Sequence, residues 1–189
     1  MGYSVQDLTT TTPASVISTA DLKAFLRVEH SEEDTLIEAM RVAAIQHIEN
    51  MCNIGIGDRN AYITFDVVPK ELEIPVGPVS QISAVTVGTS AGQSLIPTTS
   101  YYTDLKRKPA RLTFIDVPSA YEHTYEKIQV LCNYGYNEAS VPEALVHAIK
   151  LLVAHMYELR QPEIIGTIST SLKLGLESLV NPYRIVSFR

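Results

Sequence analysis

The chain has 189 residues, of which 46% are apolar, and its formal net charge is −6, from 15 basic and 21 acidic residues. This apolar content excludes a disordered chain, and the length predicts one domain, or one domain with an inserted module. The acidic balance argues against a protein that grips nucleic acid by neutralising phosphates, although it is compatible with one that surrounds DNA without holding it.

The N-terminal part of the chain is predicted to be an arm followed by two helices. Residues 1–17 are rich in Thr and Ser without periodicity, which indicates a flexible arm. A short helix is predicted from about Thr19, and a second helix of about 20 residues begins at the N-cap Ser31. Apolar residues recur along the second helix at steps of three and four, and the turn-forming residues 53–57 end it.

Residues 58–137 change from the helical period to the alternation that is typical of β-strands. Ile63 and Phe65, for example, alternate with polar residues, and turns rich in Gly and Pro separate about five or six such runs. We therefore predict an α+β fold in which a mainly α-helical bundle core, residues 18–57 and 138–182, carries an inserted small antiparallel β module.

A third helix is predicted from Ser140, which forms a capping box with Glu143. Its apolar run is interrupted by His147 and Lys150, which argues against a membrane span. Apolar residues nevertheless cover so much of its circumference that the helix must be packed on more than one side. That cover comes either from the chain's own domain or from a neighbouring subunit.

Two later segments are too apolar for solvated loops. Residues 161–175 form a connection that contains Gly, Ser and Thr but also three isoleucines. Residues 183–189 are predicted to be a short extended tail with apolar residues on both faces, and such a strand needs a partner. The candidate interface residues are Ile164, Ile165, Ile168, Tyr183, Arg184, Ile185, Val186 and Phe188.

The sequence contains no pattern that indicates catalysis, a metal or a cofactor. Pairs on one helix face, such as Glu143 and His147, have no third ligand at a suitable spacing, and no HExxH, GxSxG, GxxxxGK[ST] or GxGxxG motif occurs. Cys52 and Cys132 lie in apolar contexts, which predicts small buried hydrophobes in a reducing compartment. We therefore predict that the protein is not an enzyme and has no catalytic, metal or cofactor site.

One basic cluster lies in a predicted β turn. It consists of Lys106, Arg107 and Lys108, followed by Arg111. Such a cluster could contact DNA phosphates, meet an acidic partner, or form a solvated hairpin tip. Four charges in a chain with an acidic balance would support only weak, salt-sensitive binding to DNA.

The succession of these features resembles the head–tail connector (adaptor) proteins of tailed bacteriophages. A strand that ends near Tyr134 leads into a helix with the start Val141-Pro142-Glu143, and this helix ends at Tyr157-Glu158-Leu159-Arg160. A loop and a short helix then precede Pro182-Tyr183-Arg184-Ile185-Val186. With the two N-terminal helices, this order covers most of the chain. The β module is larger than in the shortest connectors, and the N-terminal arm has no counterpart.

The resemblance implies a structural virion protein located at the head–tail interface and assembled in the host bacterial cytoplasm. It implies a homo-oligomeric ring of about twelve subunits, a dodecamer, that lies under the phage portal protein and extends the DNA channel. The other face of the ring would meet a stopper or tail-completion protein, and DNA would pass without sequence-specific binding. In related proteins the loop after the third helix and the C-terminal tail reach neighbouring subunits or the portal. These segments are here residues 164–171 and 183–188.

Two alternatives belong to other classes. A DNA-packaging protein of the terminase small-subunit type also forms rings, but it recognises DNA and would favour a basic helix-turn-helix face. The first helix offers only Lys23 and Arg27, and the second only Arg41. A metal-dependent hydrolase would have to rest on His147 and His155.

Overall fold

The computed structural model describes residues 2–9, 16–117, 127–159 and 170–186. Within these ranges the chain forms four α-helices and eight β-strands, and it divides into two compact units. The predicted mainly α-helical bundle core is therefore wrong. The residues between the helices form two antiparallel sheets that enclose a hydrophobic core of their own, so they are a full unit and not a minor insertion.

The helical unit comprises residues 12–57 and 136–184. Its helices are α1 (Thr19–Leu26), α2 (Asp34–Cys52), α3 (Glu143–Glu158) and α4 (Thr170–Val180). The three helices predicted before residue 160 are present, but the predicted N-cap Ser31 of α2 is wrong, because Glu33 occupies that position. The C-cap of α2 is Asn53, whose φ of 55° is left-handed. Helix α3 packs against α1, α2 and α4. The buried side chains of the helices include Leu22, Ile37, Ala44, Ile45, Ile48, Leu145, Ala148, Ile149, Leu152, Val153, Leu176 and Val180.

The capping box predicted at Ser140 is wrong. Helix α3 begins at Glu143, and the Ser140 hydroxyl instead donates to the Asn137 carbonyl oxygen at 3.1 Å. The ring of Pro142 restricts the preceding Val141 to an extended backbone, with φ −64° and ψ 123°, so α3 cannot begin before Pro142. The residues before Val141, Glu138–Ser140, form a separate 3-10 turn.

The β unit comprises residues 1–11, 58–135 and 185–189. The five-stranded sheet contains, in spatial order, β1 (Tyr3–Thr9), β2 (Arg59–Phe65), β8 (Ile128–Tyr134), β4 (Val79–Thr89) and β5 (Gly92–Leu95). The three-stranded sheet contains, in spatial order, β3 (Glu71–Glu73), β7 (Arg111–Phe114) and β6 (Tyr101–Asp104).

Both sheets contribute to one hydrophobic core. Strands β2 and β8 alternate between buried and half-buried residues, as the period of two predicts. Buried residues of β3, β7 and β6 belong to the same cluster, which contains the aromatic residues Phe65, Tyr101, Phe114 and Tyr134. Cys132 lies in this cluster, and Cys52 is also buried and free, so the prediction that both cysteines are buried is confirmed.

The segment expected to be a flexible arm contains a strand. Residues 3–9 form β1, which pairs antiparallel with β2. The Gly2 amide donates to both carboxylate oxygens of Asp66, at 2.9 and 3.0 Å, and a Cβ at this position would lie 2.4 Å from one of those oxygens. At the other end Asp7 accepts a hydrogen bond from the Tyr134 hydroxyl at 2.8 Å. Residues 10–15 of the expected arm lie outside the described residues.

The chain leaves the helical unit after Gly57 and returns to it at Tyr136, and these two positions are hydrogen-bonded to each other. The Gly57 amide donates to the Tyr136 carbonyl at 2.8 Å, and the Tyr136 amide donates to the Gly55 carbonyl at 2.9 Å. The buried carboxylate of Glu49 accepts the Ile56 amide hydrogen at 2.7 Å. Helix α2 thus holds the strand segment that joins it to the β unit.

We expect Glu49→Ala to lower the free energy of unfolding by about 1–3 kcal/mol, because the fully buried Ile56 amide would lose its acceptor. Glu49→Gln should cost less, since its side-chain oxygen can still accept. Urea denaturation followed by circular dichroism measures the difference, with Asn50→Ala, an exposed neighbour on α2, as the control. Equal midpoints for Glu49→Ala and Asn50→Ala would contradict this role.

Candidate assembly surfaces

The C-terminal segment is attached to the end of α2. After α4 the chain forms a 3-10 turn, Asn181–Tyr183, and continues extended to residue 186. The thiol of Cys52, the last residue of α2, lies 3.8 Å from the Val180 carbonyl oxygen. Burial raises the pKa of Cys52, and the nearby Arg184 guanidinium opposes that rise. The charge of Arg184 therefore lies near the C-terminal end of α2, where a cation suits the helix dipole.

The predicted tail residues do not share one environment. Ile185 is 3% exposed and packs close to Gly77, where a Cβ would lie 3.4 Å from its Cδ1 atom. Tyr183 belongs to the 3-10 turn and is half-buried, whereas Arg184 is exposed and Val186 is 50% exposed. Ile185 is thus a core residue of the β unit, and only its neighbours are available to a partner. The other interface candidates, Ile164, Ile165, Ile168 and Phe188, lie outside the described residues.

The structure separates Arg111 from the rest of the basic cluster. Lys106, Arg107 and Lys108 are exposed in the turn between β6 and β7. Arg111 lies on β7, and its guanidinium is paired with two carboxylates of β3, Glu71 at 2.6 Å and Glu73 at 3.2 Å. Its charge is neutralised within the three-stranded sheet, so three of the four predicted cations remain available to a partner.

The cations of α1 and α2 do not form a basic face. Arg41 is 3% exposed, and its guanidinium pairs with Glu38 at 2.6 Å. The Lys23 ammonium pairs with Asp34 at 2.6 Å. Of the three cations that a helix-turn-helix face would use, only Arg27, the left-handed C-cap of α1, is exposed.

One apolar surface was not found from the sequence. Leu95 at the end of β5 is 67% exposed, and Ile115 and Val117 after β7 are 45% and 50% exposed. They line an open cavity of about 350 Å³ together with Ile96, Pro97, Thr99, Ser100 and Asp116. The two segments are brought together by the pairing of the Ile115 amide with the Ser100 carbonyl at 3.0 Å, which no local pattern encodes.

The described residues offer little for catalysis. Among them no group of three or more His, Cys, Asp and Glu side chains could hold a metal ion. The His147 ring is exposed and meets the Phe25 ring edge-on, at a centroid distance of 6.5 Å. Burial raises the pKa of Cys132 to about 12, and the pKa of Cys52 is shifted in the same direction, so both thiols remain protonated at neutral pH. In the described ranges no helix has the length and apolar character needed to cross a membrane.

Comparisons with known proteins give one family and several similar structures. The model of the family described as "Phage gp6-like head-tail connector protein" matches residues 17–94, from the start of α1 through most of β5. No curated protein matches the chain.

The similar structures come from gene transfer agent (GTA) particles. A chain from the neck of an empty GTA particle, computed with C6 symmetry, has a TM-score of 0.77 and 20% identity, over 98% of this chain and 97% of that one. A chain from the virion of a native GTA particle has a TM-score of 0.76 and 19% identity, with the same coverage. A chain from the neck of a native GTA particle, computed with C12 symmetry, has a TM-score of 0.73 and 18% identity over 98% and 97%. At these identities the likeness shows a shared fold over nearly the whole chain.

We expect Ile185→Ala to lower the free energy of unfolding by about 2–5 kcal/mol, because it leaves a cavity beside Gly77. The adjacent Val186→Ala is the matched control, and it should change stability by no more than about 0.5 kcal/mol because half of its side chain is already solvated. Chemical denaturation monitored by tyrosine fluorescence gives both values. Similar losses for the two variants would mean that Ile185 is not a core residue.

Proposed function

We propose, from the confirmed resemblance of this chain to the gp6-like head–tail connector family, that it forms a ring under the phage portal, extends the DNA channel and joins head to tail. The family is one of structural connectors and not of enzymes, and its match supports a structural virion role. The family match over residues 17–94 is the observation that carries the proposal. The shared fold with chains of GTA necks supports it over the remaining residues.

A ring of about twelve subunits is the proposed assembly. The necks of the GTA particles that contain chains of this fold were computed with C12 and C6 symmetry, which supports a closed cyclic ring. Each subunit in a cyclic ring uses two different surfaces, one for each neighbour. The exposed C-terminal residues Arg184 and Val186, the segment 164–171, and the turn between β6 and β7 are the proposed contacts with neighbours or with the portal.

The charges of the subunit support passage of DNA and not its recognition. The net charge of −6 repels a duplex, which keeps DNA in a channel mobile. Arg41 and Lys23 are already paired with carboxylates of the helical unit, so they cannot supply the basic face that a packaging protein of the terminase small-subunit type would need. We therefore propose the head–tail interface of the virion as the location, with assembly in the host cytoplasm and a stopper or tail-completion protein on the face opposite the portal.

Co-sedimentation with the portal ring from the same genome, followed by negative-stain imaging, tests the proposal. We expect a stoichiometric complex in which a second ring is stacked on the portal. Failure to bind the portal, together with specific binding to the packaging-start DNA of that genome, would replace the connector role with that of a packaging protein.

The exposed tail should matter for docking without affecting the fold. We expect Val186→Asp to keep the wild-type unfolding midpoint, because the side chain is half exposed, and to weaken portal binding about tenfold, because a carboxylate would be buried at the contact. Ser90→Asp, in the exposed turn between β4 and β5, is the control with the same new charge. Wild-type portal binding by Val186→Asp would remove the tail from the interface.

A further inference from the structure

The turn between β6 and β7, residues 105–110, presents three cations that no carboxylate of the described residues neutralises. Lys106, Arg107 and Lys108 are exposed, and none of them forms an ion pair with the residues that the structure describes. The nearest carboxylate in sequence, Asp104, accepts the Lys106 backbone amide at 3.2 Å and so stabilises the turn. We refer to residues 106–108 as the cationic tip.

The charges of the chain are unevenly divided between the two units. The β unit contains eight basic and nine acidic residues, hence −1, whereas the helical unit contains seven basic and twelve acidic residues, hence −5. The densest run of acidic residues in the helical unit lies between α1 and the first residue of α2, at Glu29, Glu32, Glu33 and Asp34. We refer to residues 29–34 as the acidic turn.

Within the acidic turn, two carboxylates are engaged and two are not. Asp34 pairs with Lys23, and Glu33 accepts a hydrogen bond from the Tyr157 hydroxyl. Glu29 and Glu32 are exposed and have no ion-pair partner among the described residues. Asp34 and Glu33 are therefore held in place by contacts with α1 and α3, while Glu29 and Glu32 face solvent.

We propose that in the ring the cationic tip of one copy docks on the acidic turn of the next copy. The proposal rests on the ring of the proposed function. A cyclic ring requires two different and complementary surfaces on the same chain, and the tip and the turn are of opposite charge. The three cations of the tip and the carboxylates Glu29 and Glu32 of the turn are exposed, and none of them has an ion-pair partner among the described residues. Such complementarity fixes which surfaces meet and how fast they associate, more than it sets the affinity.

A second copy suits the tip better than the DNA in the channel does. Three cations per subunit, flanked by Asp104, Glu71 and Glu73, would bind a duplex weakly and only at low salt. A neighbouring copy offers a fixed acidic turn at the high local concentration that a ring imposes. Exposed ion pairs of this kind are screened by salt, so the contact between copies should weaken as ionic strength rises.

Charge reversal provides the test. Lys106→Glu/Lys108→Glu changes the charge of the tip from +3 to −1 and is called the acidic-tip variant. Glu29→Lys/Glu32→Lys reverses the two exposed carboxylates of the turn and is called the basic-turn variant. Each variant alone should raise the subunit concentration needed for ring formation about tenfold at low salt, because like charges would meet at every contact. The variant that carries all four substitutions keeps the net charge of the wild type and should form rings like the wild type. Sedimentation velocity, with and without the portal, measures assembly.

An equimolar mixture of the two single-surface variants gives an independent readout. In a ring where the two variants alternate, every contact joins opposite charges. The acidic tip of one variant meets the reversed turn of the other, and at the next contact a wild-type tip meets a wild-type turn. The mixture should therefore assemble at lower concentration than either variant alone. The matched control is Glu138→Lys/Glu143→Lys, which reverses two exposed acidic residues elsewhere on the helical unit. This control should assemble normally by itself.

The outcomes separate this inference from the proposed function. A wild-type chain that forms no ring, alone or on the portal, would overturn both. If the wild type forms rings and the acidic-tip variant assembles equally well, only the tip-to-turn contact is overturned. The same holds if the variant with all four substitutions does not recover ring formation. If the acidic-tip variant assembles normally but loses affinity for a non-specific duplex, the tip contacts DNA instead.

Discussion

The fold depends on how the chain leaves a helix, builds a sheet unit of its own, and returns to the next helix. Ile54 to Gly57 and Tyr136 form the paired crossing where this happens, with two backbone hydrogen bonds of 2.8 and 2.9 Å. The Glu49 carboxylate fixes one side of the crossing from α2. Gly57 and Gly135 lie at left-handed φ values of 110° and 109°, a conformation that residues with a Cβ rarely adopt, so the chain can turn sharply at both positions. A buried backbone amide without an acceptor would cost free energy at this crossing. The Glu49 carboxylate, which is 7% exposed, supplies the acceptor for the buried Ile56 amide.

Because each unit has its own buried side chains, the segments proposed for assembly need not stabilise the subunit. The C-terminal segment shows how the two roles are divided among adjacent residues. Ile185 is buried in the β unit and fixes the position of the tail, while Arg184 and Val186 remain exposed. The basic cluster divides in the same way, since Arg111 cross-links β7 to β3 through two carboxylates and the three residues of the tip remain solvated. The C-terminal segment and the basic cluster therefore each contain one residue that stabilises the fold and others that remain available to partners.

The electrostatics of this chain favour the proposed channel component over a protein that recognises DNA. The cations on α1 and α2 are mostly engaged in internal pairs, Arg41 with Glu38 within α2 and Lys23 of α1 with Asp34 of α2. The helical unit has more carboxylates than cations and therefore carries −5 of the chain's net charge of −6. A ring of such subunits would repel DNA over most of its surface and attract complementary protein surfaces at few places.

Local patterns in the sequence determined the presence of α1, α2 and α3, though not the starts of α2 and α3. They also determined the change to period two after residue 58, the burial of both cysteines, and the resemblance to connector proteins. These features depend on residues within a few positions of each other, so periodicity and short motifs report them. Only the tertiary structure decided that residues 3–9 pair with β2, that Ile185 packs beside Gly77, and that Arg111 is neutralised by Glu71 and Glu73. It also decided that the sheets are a full unit with their own core and not a module attached to a helical bundle. Each of these outcomes joins residues that are tens of positions apart, and the free energy of such contacts depends on packing that no local pattern encodes.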